Sequence, residues 1–530
     1  MILTNHITPH SVGFFCANAR RAYLQKTTAF IKPPHGLHVH ATTSPQASAI
    51  ESKWTDGCPD GPSSALMSEK QRSFRYAGGA LLLATFLSGC VALPTPTLPA
   101  DVPDTWAQQP GAQGPSVDLR SWWTAFNDST LNALVDEALQ RNLDIAQAEK
   151  LLEAERQLSG RQGSSYLPVV SAGGRPVQDA SGRHSFFHAS IDASWELDLF
   201  GGGESEERLG AAEVGGAEAK QQGIRVAVVA GVVRNYLDMT VANWQLANLQ
   251  KISALDQRAA HLAKVRSDTR LANADEITNA SLRLQQGQAE IAAMRQTAAQ
   301  HARALALLLG RAAPDAAWAT AATPPDLAAF RLQQVPADLL RSRPDVREAE
   351  AEVLAAAARV GIARAALYPR LSLAGTILYS HNITTNRSAN NNYLPSIGPV
   401  ISIPLFDWGR LRAEVKAGEK RMDASLLGYR KAVMSGASEV EGALSTYQIE
   451  QDRVAALTNA NQVLSRKRDM QRRRSELGIS SAFESIDDEQ RSLETSSDLT
   501  LARASRSLAF IALYKALGGA PLTPVTEEKP

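Results

Sequence analysis

Alternation between apolar and polar positions is the strongest pattern in this chain. Phe187, Ala189, Ile191, Ala193, Trp195, Leu197 and Leu199 interleave with His188, Ser190, Asp192, Ser194, Glu196 and Asp198. In a second run Leu371, Leu373, Ile377 and Tyr379 share one face, with Ser372 and Thr376 opposite. A third sets Ile397, Ile401, Ile403 and Leu405 against Ser396 and Ser402, and a weaker fourth spans Tyr166 to Gln178. A period of two predicts β-strands with one apolar and one polar face. Runs of about ten such residues suit transmembrane β-strands, although a soluble sandwich with one wet face shows the same alternation. The connecting stretches favour the membrane reading. "DASGRH" (Asp179 to His184) and "SHNITTNRSANNN" (Ser380 to Asn392) are polar tips that fit loops outside the cell.

Elsewhere the period is helical. No proline interrupts Ser205 to about Ser267, or Arg410 to about Glu476. At about 1.5 Å per residue each stretch reaches on the order of 95–100 Å. In the second, Val433, Ala437, Val440, Leu444, Tyr447, Val454, Leu457 and Leu464 fall at steps of three, four or seven, which is a heptad seam. Each stretch turns near a glycine or asparagine, in "RLANADEITNA" (Arg270 to Ala280) and "ELGISSAFESID" (Glu476 to Asp487), and a second helix returns towards the strands.

The whole plan occurs twice. "RNLDIAQAEKLLEAERQLSGRQGSSYLP" (Arg141 to Pro168) parallels "SRPDVREAEAEVLAAAARVGIARAALYP" (Ser342 to Pro369), with Asp144 and Asp345, and Pro168 and Pro369, at an offset of 201. A repeat of this length is a domain duplication. Two hairpins supply four strands, too few to close. An open sheet in lipid would leave backbone groups unpartnered at several kcal/mol each, and bacterial barrels need about eight strands or more. Either the sheet lies outside the membrane or several chains share one barrel; a trimer supplies twelve strands and closes it.

Composition narrows the classes. Lysine plus arginine (55) nearly balance aspartate plus glutamate (54), so no nucleic-acid partner is expected. The segment beyond residue 90 has no apolar run of 18 residues; Val226 to Val233 is short and flanked by Arg225 and Arg234, so membrane-spanning helices are excluded. GxSxG, HExxH and phosphate-binding glycine loops are missing, and His184, His188, His261, His301 and His381 are scattered, so neither catalysis nor a metal or cofactor is expected.

"MSEKQRSFRYAGGALLLATFLSGCVA" (Met67 to Ala92) joins a positive start to a short apolar run, as signal peptides do. Its ending, Leu87-Ser88-Gly89-Cys90, resembles the lipobox of bacterial lipoproteins, which makes Cys90 the lipidation site and mature N-terminus. Val91 is not the aspartate that commonly retains lipoproteins in the inner membrane. The expected organisation is an upstream extension outside the native product (1–66), a signal peptide (67–89), a lipidated tether (90–120), a first repeat (121–325), a second repeat (326–520) and a tail (521–530).

"SWWTAFNDSTLNALVDEALQRNLDIAQAE" (Ser121 to Glu149), "SWELDLFG" (Ser194 to Gly201) and "VPADLLRSRPDVREAE" (Val335 to Glu350) resemble the TolC-like outer membrane efflux proteins, in the lipoprotein branch of OprM, CusC and NodT type. The resemblance covers almost everything from Cys90 to about Ala520. Two departures are Ser129, where the family usually has proline, and the glycine-rich "GGGESEERLGAAEVGG" (Gly201 to Gly216), expected to loosen a helix start. The resemblance implies a mainly α fold with a β-barrel portion, built as a homotrimer with a 12-stranded outer-membrane β-barrel on a periplasmic α-helical barrel. It implies a passive exit duct anchored by outer-membrane lipid and docked to a periplasmic adaptor and an inner-membrane transporter of the RND type. It also places a ring of carboxylates at the closed periplasmic end. The matching positions are Glu484 and Asp487, with Asp488 next in register and Glu276 the weaker counterpart in the first repeat. The alternative role for Glu484 and Asp487 is to lie solvated in the first turn of a helix, stabilised by its dipole. The basic run "RKRDMQRRR" (Arg466 to Arg474) is either a solvated face or an adaptor contact. Type I protein secretion and a non-channel envelope lipoprotein are the rival functions.

Overall fold

The computed structural model describes residues 97–98, 120–178, 183–271, 274–320, 323–327, 338–384 and 391–519. All belong to one compact unit, Arg75–Pro530. Cys90, the signal segment, residues 1–66, the tail 521–530 and the hairpin tips at 179–182 and 385–390 lie outside the described residues.

Two short helices open the first repeat, α1 (Ser129–Arg141) and α2 (Leu143–Ser159). Asp128 caps α1 by accepting the N–H groups of Thr130 and Leu131, so Ser129 is the first helical residue. That is a position where proline and serine are both tolerated, which explains why the departure there is harmless. Strands β1 (Val169–Gln178) and β2 (Ser185–Leu197) follow, then the helices α3 (Gly202–Asp268) and α4 (Ala274–Leu308), of 67 and 35 residues. The second repeat runs through α5 (Pro344–Ala365), β3 (Arg370–Asn382) and β4 (Asn391–Ser402) into α6 (Arg410–Glu476) and α7 (Ala482–Ala516), again of 67 and 35 residues. Pro168 and Pro369 are 201 apart whereas Gly201 and Gly409 are 208 apart, so the second β-hairpin is seven residues longer and the helices beyond match residue for residue.

The long helices start on carboxylates. Asp198 accepts from the backbone N–H groups of Gly202, Gly203 and Glu204, and Asp407 from those of Gly409 and Leu411. The glycines after Asp198 do not loosen α3. A Cβ at Gly202 would fall 2.1 Å from the Tyr166 hydroxyl, and one at Gly203 would fall 2.9 Å from Asp198 Oδ2. These positions are glycine because neighbouring side chains pack against bare backbone, which corrects the expectation from sequence.

The main core joins the two repeats. Trp122, Trp123 and Phe126, from a 3-10 turn before α1, pack with Leu131 and Val135 of α1, Val232, Val233 and Leu237 of α3, and Phe510 and Tyr514 of α7. Trp122 stacks on Tyr514 at 4.5 Å. The apolar run flanked by Arg225 and Arg234 is therefore core, and no helix among the described residues is long and apolar enough to cross a membrane. The heptad seam is real: Val433, Val440, Leu444 and Val454 are buried and Ala437, Tyr447, Leu457 and Leu464 half-buried. Leu98, in the proline-rich tether, packs against Val346, Val353, Tyr429 and Val433 on α5 and α6.

Candidate functional site

The four strands form one antiparallel sheet in the order β1-β2-β3-β4, leaving β1 and β4 as its edges. Their register sorts the two faces. Ile191 pairs with Ile377 and Trp195 with Leu373, and the third partners are Pro395 and Pro399 of β4. This face carries large exposed apolar residues, up to 78% exposure at Ile397. On the other face Arg175 pairs with His188, and His188 with Ser380. Asp192 lies between Ser171 and Thr376, and Glu196 pairs with Ser372. Proline cannot donate to a ladder, so Pro176, Pro395 and Pro399 sit on edge strands as expected.

The far end of the second helical hairpin turns at 477–481, where Gly478 takes φ 71°. Ser481 Oγ accepts the Glu484 backbone N–H at 3.2 Å, so Glu484 occupies the third position of a capped helix. Its carboxylate also accepts from Gln471 Nε2 of α6 at 3.1 Å. Asp488 is largely covered and pairs with Lys467 at 2.7 Å. Asp487 is exposed and has no side-chain hydrogen bond or ion pair among the described residues. Glu276, in the first hairpin, pairs with Arg266 at 3.7 Å. Three of the four carboxylates thus gather in one stretch of α7, and of those three Asp487 alone is uncommitted.

The basic run is partly spent within the hairpin. Lys467 pairs with Asp488, Arg468 with Asp469 and Arg472 with Glu476. Arg466, Arg473 and Arg474 are exposed, the last two within a few residues of exposed Leu477 and Ile479.

One buried group escaped the sequence reading. Arg343, 5% exposed, pairs with Asp345 and with Glu439 of α6 at 2.8 Å each, and donates to the Ala516 carbonyl at the end of α7. A Cβ at Gly518 would fall 2.6 Å from Arg343 Cγ. The duplicated position in the first repeat, Asn142, caps α2 and donates from Nδ2 to the Leu308 carbonyl at the end of α4 (2.8 Å). Each repeat ties the start of its short helix to the end of its return helix, once by amide and once by guanidinium. "RPD" around Arg343 was the available signal; its partners lie 96 and 173 residues away.

An amphipathic sheet with two open edges is thus carried on paired helical hairpins. A sequence profile of the outer membrane efflux protein family matches residues 134–311 and 335–519, and the chain belongs to that family. Outer membrane protein OprJ of Pseudomonas aeruginosa is 29% identical over 464 residues, which span 84% of this chain and 96% of OprJ. Antibiotic efflux pump outer membrane protein ArpC of Pseudomonas putida is 28% identical over 468 residues, 82% of this chain and 94% of ArpC. The solved outer-membrane channel OprN aligns with a TM-score of 0.69 at 26% identity, over 81% of this chain and 98% of that one. The chain is an outer membrane efflux protein.

Proposed function

We propose that three copies of this chain form the exit duct of a tripartite efflux pump, passing drugs or other small toxic solutes from the periplasm to the outside. The observation that carries this reading is the sheet: one face apolar and exposed, the other carrying charged and hydroxyl side chains on its two central strands, with apolar Val169, Leu394 and Val400 on its edges, and an unpaired edge on each side. In lipid such edges need partners, and β4 of one copy against β1 of the next supplies them. The helical hairpins then extend into the periplasm. There they meet an adaptor coupled to an inner-membrane transporter of the RND type, with Arg466, Arg473 and Arg474 available for the contact. Asp487 and Glu484, three copies each, form the gate at the closed end, where converging carboxylates attract cations and repel one another.

Cys90 anchors the duct through lipid; a mature mass that includes any of residues 1–66 would overturn that assignment. The function itself is tested by deleting the gene and complementing it, across lipophilic antibiotics, dyes, solvents, and copper or silver ions. Increased sensitivity on deletion, with resistance restored by the wild-type copy, supports efflux and identifies the cargo class. Unchanged sensitivity with loss of a secreted protein from the medium would replace efflux by protein secretion.

A further inference from the structure

The polar face of the sheet is not uniformly polar. Moving up β2 from the helical end, Glu196 comes first, then Asp192, then His188. Arg370 lies at the same lower end of β3, two register positions beyond Ser372 and so on the same face, and Arg175 lies at the upper level across from His188. Asp192 accepts hydrogen bonds from Ser190 Oγ (2.7 Å) and Thr376, which fixes its carboxylate on this face. The lower half therefore holds two carboxylates against one cation. The upper half, among the described residues, holds Arg175, His184 and His188 and no carboxylate. Asp192 and the Arg175 level are four residues apart, or about 13 Å along a strand. The Arg175 side chain reaches far enough towards Asp192 to act on its charge, so the two bands meet at a shared border and differ most at their outer ends.

We infer that the barrel lumen is a two-band charge filter, acidic towards the periplasm through Asp192 and Glu196 and cationic at the mouth through Arg175. This rests on the reading that three copies close the sheet around a lumen. Closure turns each residue into a ring of three, and rings of like charge in a confined pore set which solutes dwell there. A cationic solute rising from the helical barrel meets a favourable field. A cation arriving from outside meets Arg175 before it reaches the acidic band. The lumen thus discriminates by charge independently of the gate carboxylates, which lie at the other end of the helices.

Two single-cysteine reporters in the full-length protein, in intact cells at low ionic strength, test this. Ser194→Cys lies between Asp192 and Glu196 on the polar face, and Asn392→Cys lies on the Ser380–His188–Arg175 level. Each is treated with a cationic and an anionic methanethiosulfonate of equal size. The ratio of the two rates cancels thiol reactivity and reads the local potential. The expected result is a cationic preference on the order of tenfold at Ser194→Cys, and an anionic preference at Asn392→Cys. Asp192→Asn with Glu196→Gln should bring the lower ratio towards unity, and Arg175→Gln the upper one. Asp192→Asn keeps the side-chain shape, and Glu196→Gln alone gives a second, milder reading. Equal ratios at the two sites, or ratios insensitive to neutralisation, would overturn the filter while leaving the duct intact. If neither reporter reacts from either side of the membrane, the polar face lines no lumen, and the duct reading fails together with the inference.

Discussion

Glycines 409 and 518 have similar left-handed backbones, φ 80° and 86°, in different surroundings. Nothing lies within 4 Å of a Cβ at Gly409, whereas one at Gly518 meets the Cα and Cγ of Arg343 at 2.8 and 2.6 Å. Gly409→Ala should therefore cost only the left-handed penalty, about 1–2 kcal/mol. Gly518→Ala adds a clash with the buried hub, for about 3–5 kcal/mol in all. Thermal melts of both variants in detergent would check the difference, and equal losses would contradict the packing at Arg343. Glu137 makes a residue-scale prediction of another kind. Its hydrogen bonds from Arg311 at 2.8 and 2.5 Å hold the carboxyl below its ordinary value, against the opposing effect of burial and with help from the charges of Arg311 and Arg141. A carboxylate depressed by folding stabilises fully above the usual carboxylate range and loses that contribution as pH falls through its folded value. Glu137→Gln should thus lower the melting temperature at pH 7 and flatten its decline between about pH 5 and 3. An unchanged pH profile would exclude this pair as an acid-sensitive contact.

At the scale of elements, the start of α7 separates two roles that spacing alone could not: Glu484 lies in the first turn and Asp487, expected beside it there, lies in the second. Glu484 is engaged by Ser481 and Gln471, and Asp487 is not. Asp487→Ala should raise resting conductance in planar bilayers and weaken block by divalent cations. Glu484→Ala should do the same and also loosen the tip, seen as faster proteolysis there. Unchanged conductance and block in Asp487→Ala would overturn the assignment of a gate to this carboxylate. The strands and long helices were legible because each buries or exposes a whole face, and periodicity records that. β1 was the weakest because Val169 and Val177 fall on its polar face, with Gly174 and Pro176 on the other. The glycines of α3 were misread because a helical pattern shows which face is apolar but not what stands opposite it. Tyr166 stands opposite Gly202, 36 residues back along the chain. Arg343 was hidden for the same reason: two elements distant in sequence, α6 and α7, converge on it.

For the whole molecule, the two repeats diverge where they face different neighbours and agree where they must end together. The β-hairpins differ by seven residues, yet the helical arms are 67 and 35 residues in both copies. Arg270 and Gly478, at the two tips, both take left-handed backbones, φ 60° and 71°, although only one is glycine. Removing seven residues from both arms of one hairpin would draw its tip back by about 10 Å. Such a protein should lose resistance in the susceptibility panel while still reaching the outer membrane. Trimming both hairpins alike should restore a continuous end and at least part of the resistance; equal failure of the two designs would show that absolute reach, not agreement between arms, is what counts. The hairpins are in this sense a pair of gauges cut to one length. Any lineage that adapts to an envelope of different depth can move only by changing two distant stretches of its gene in step.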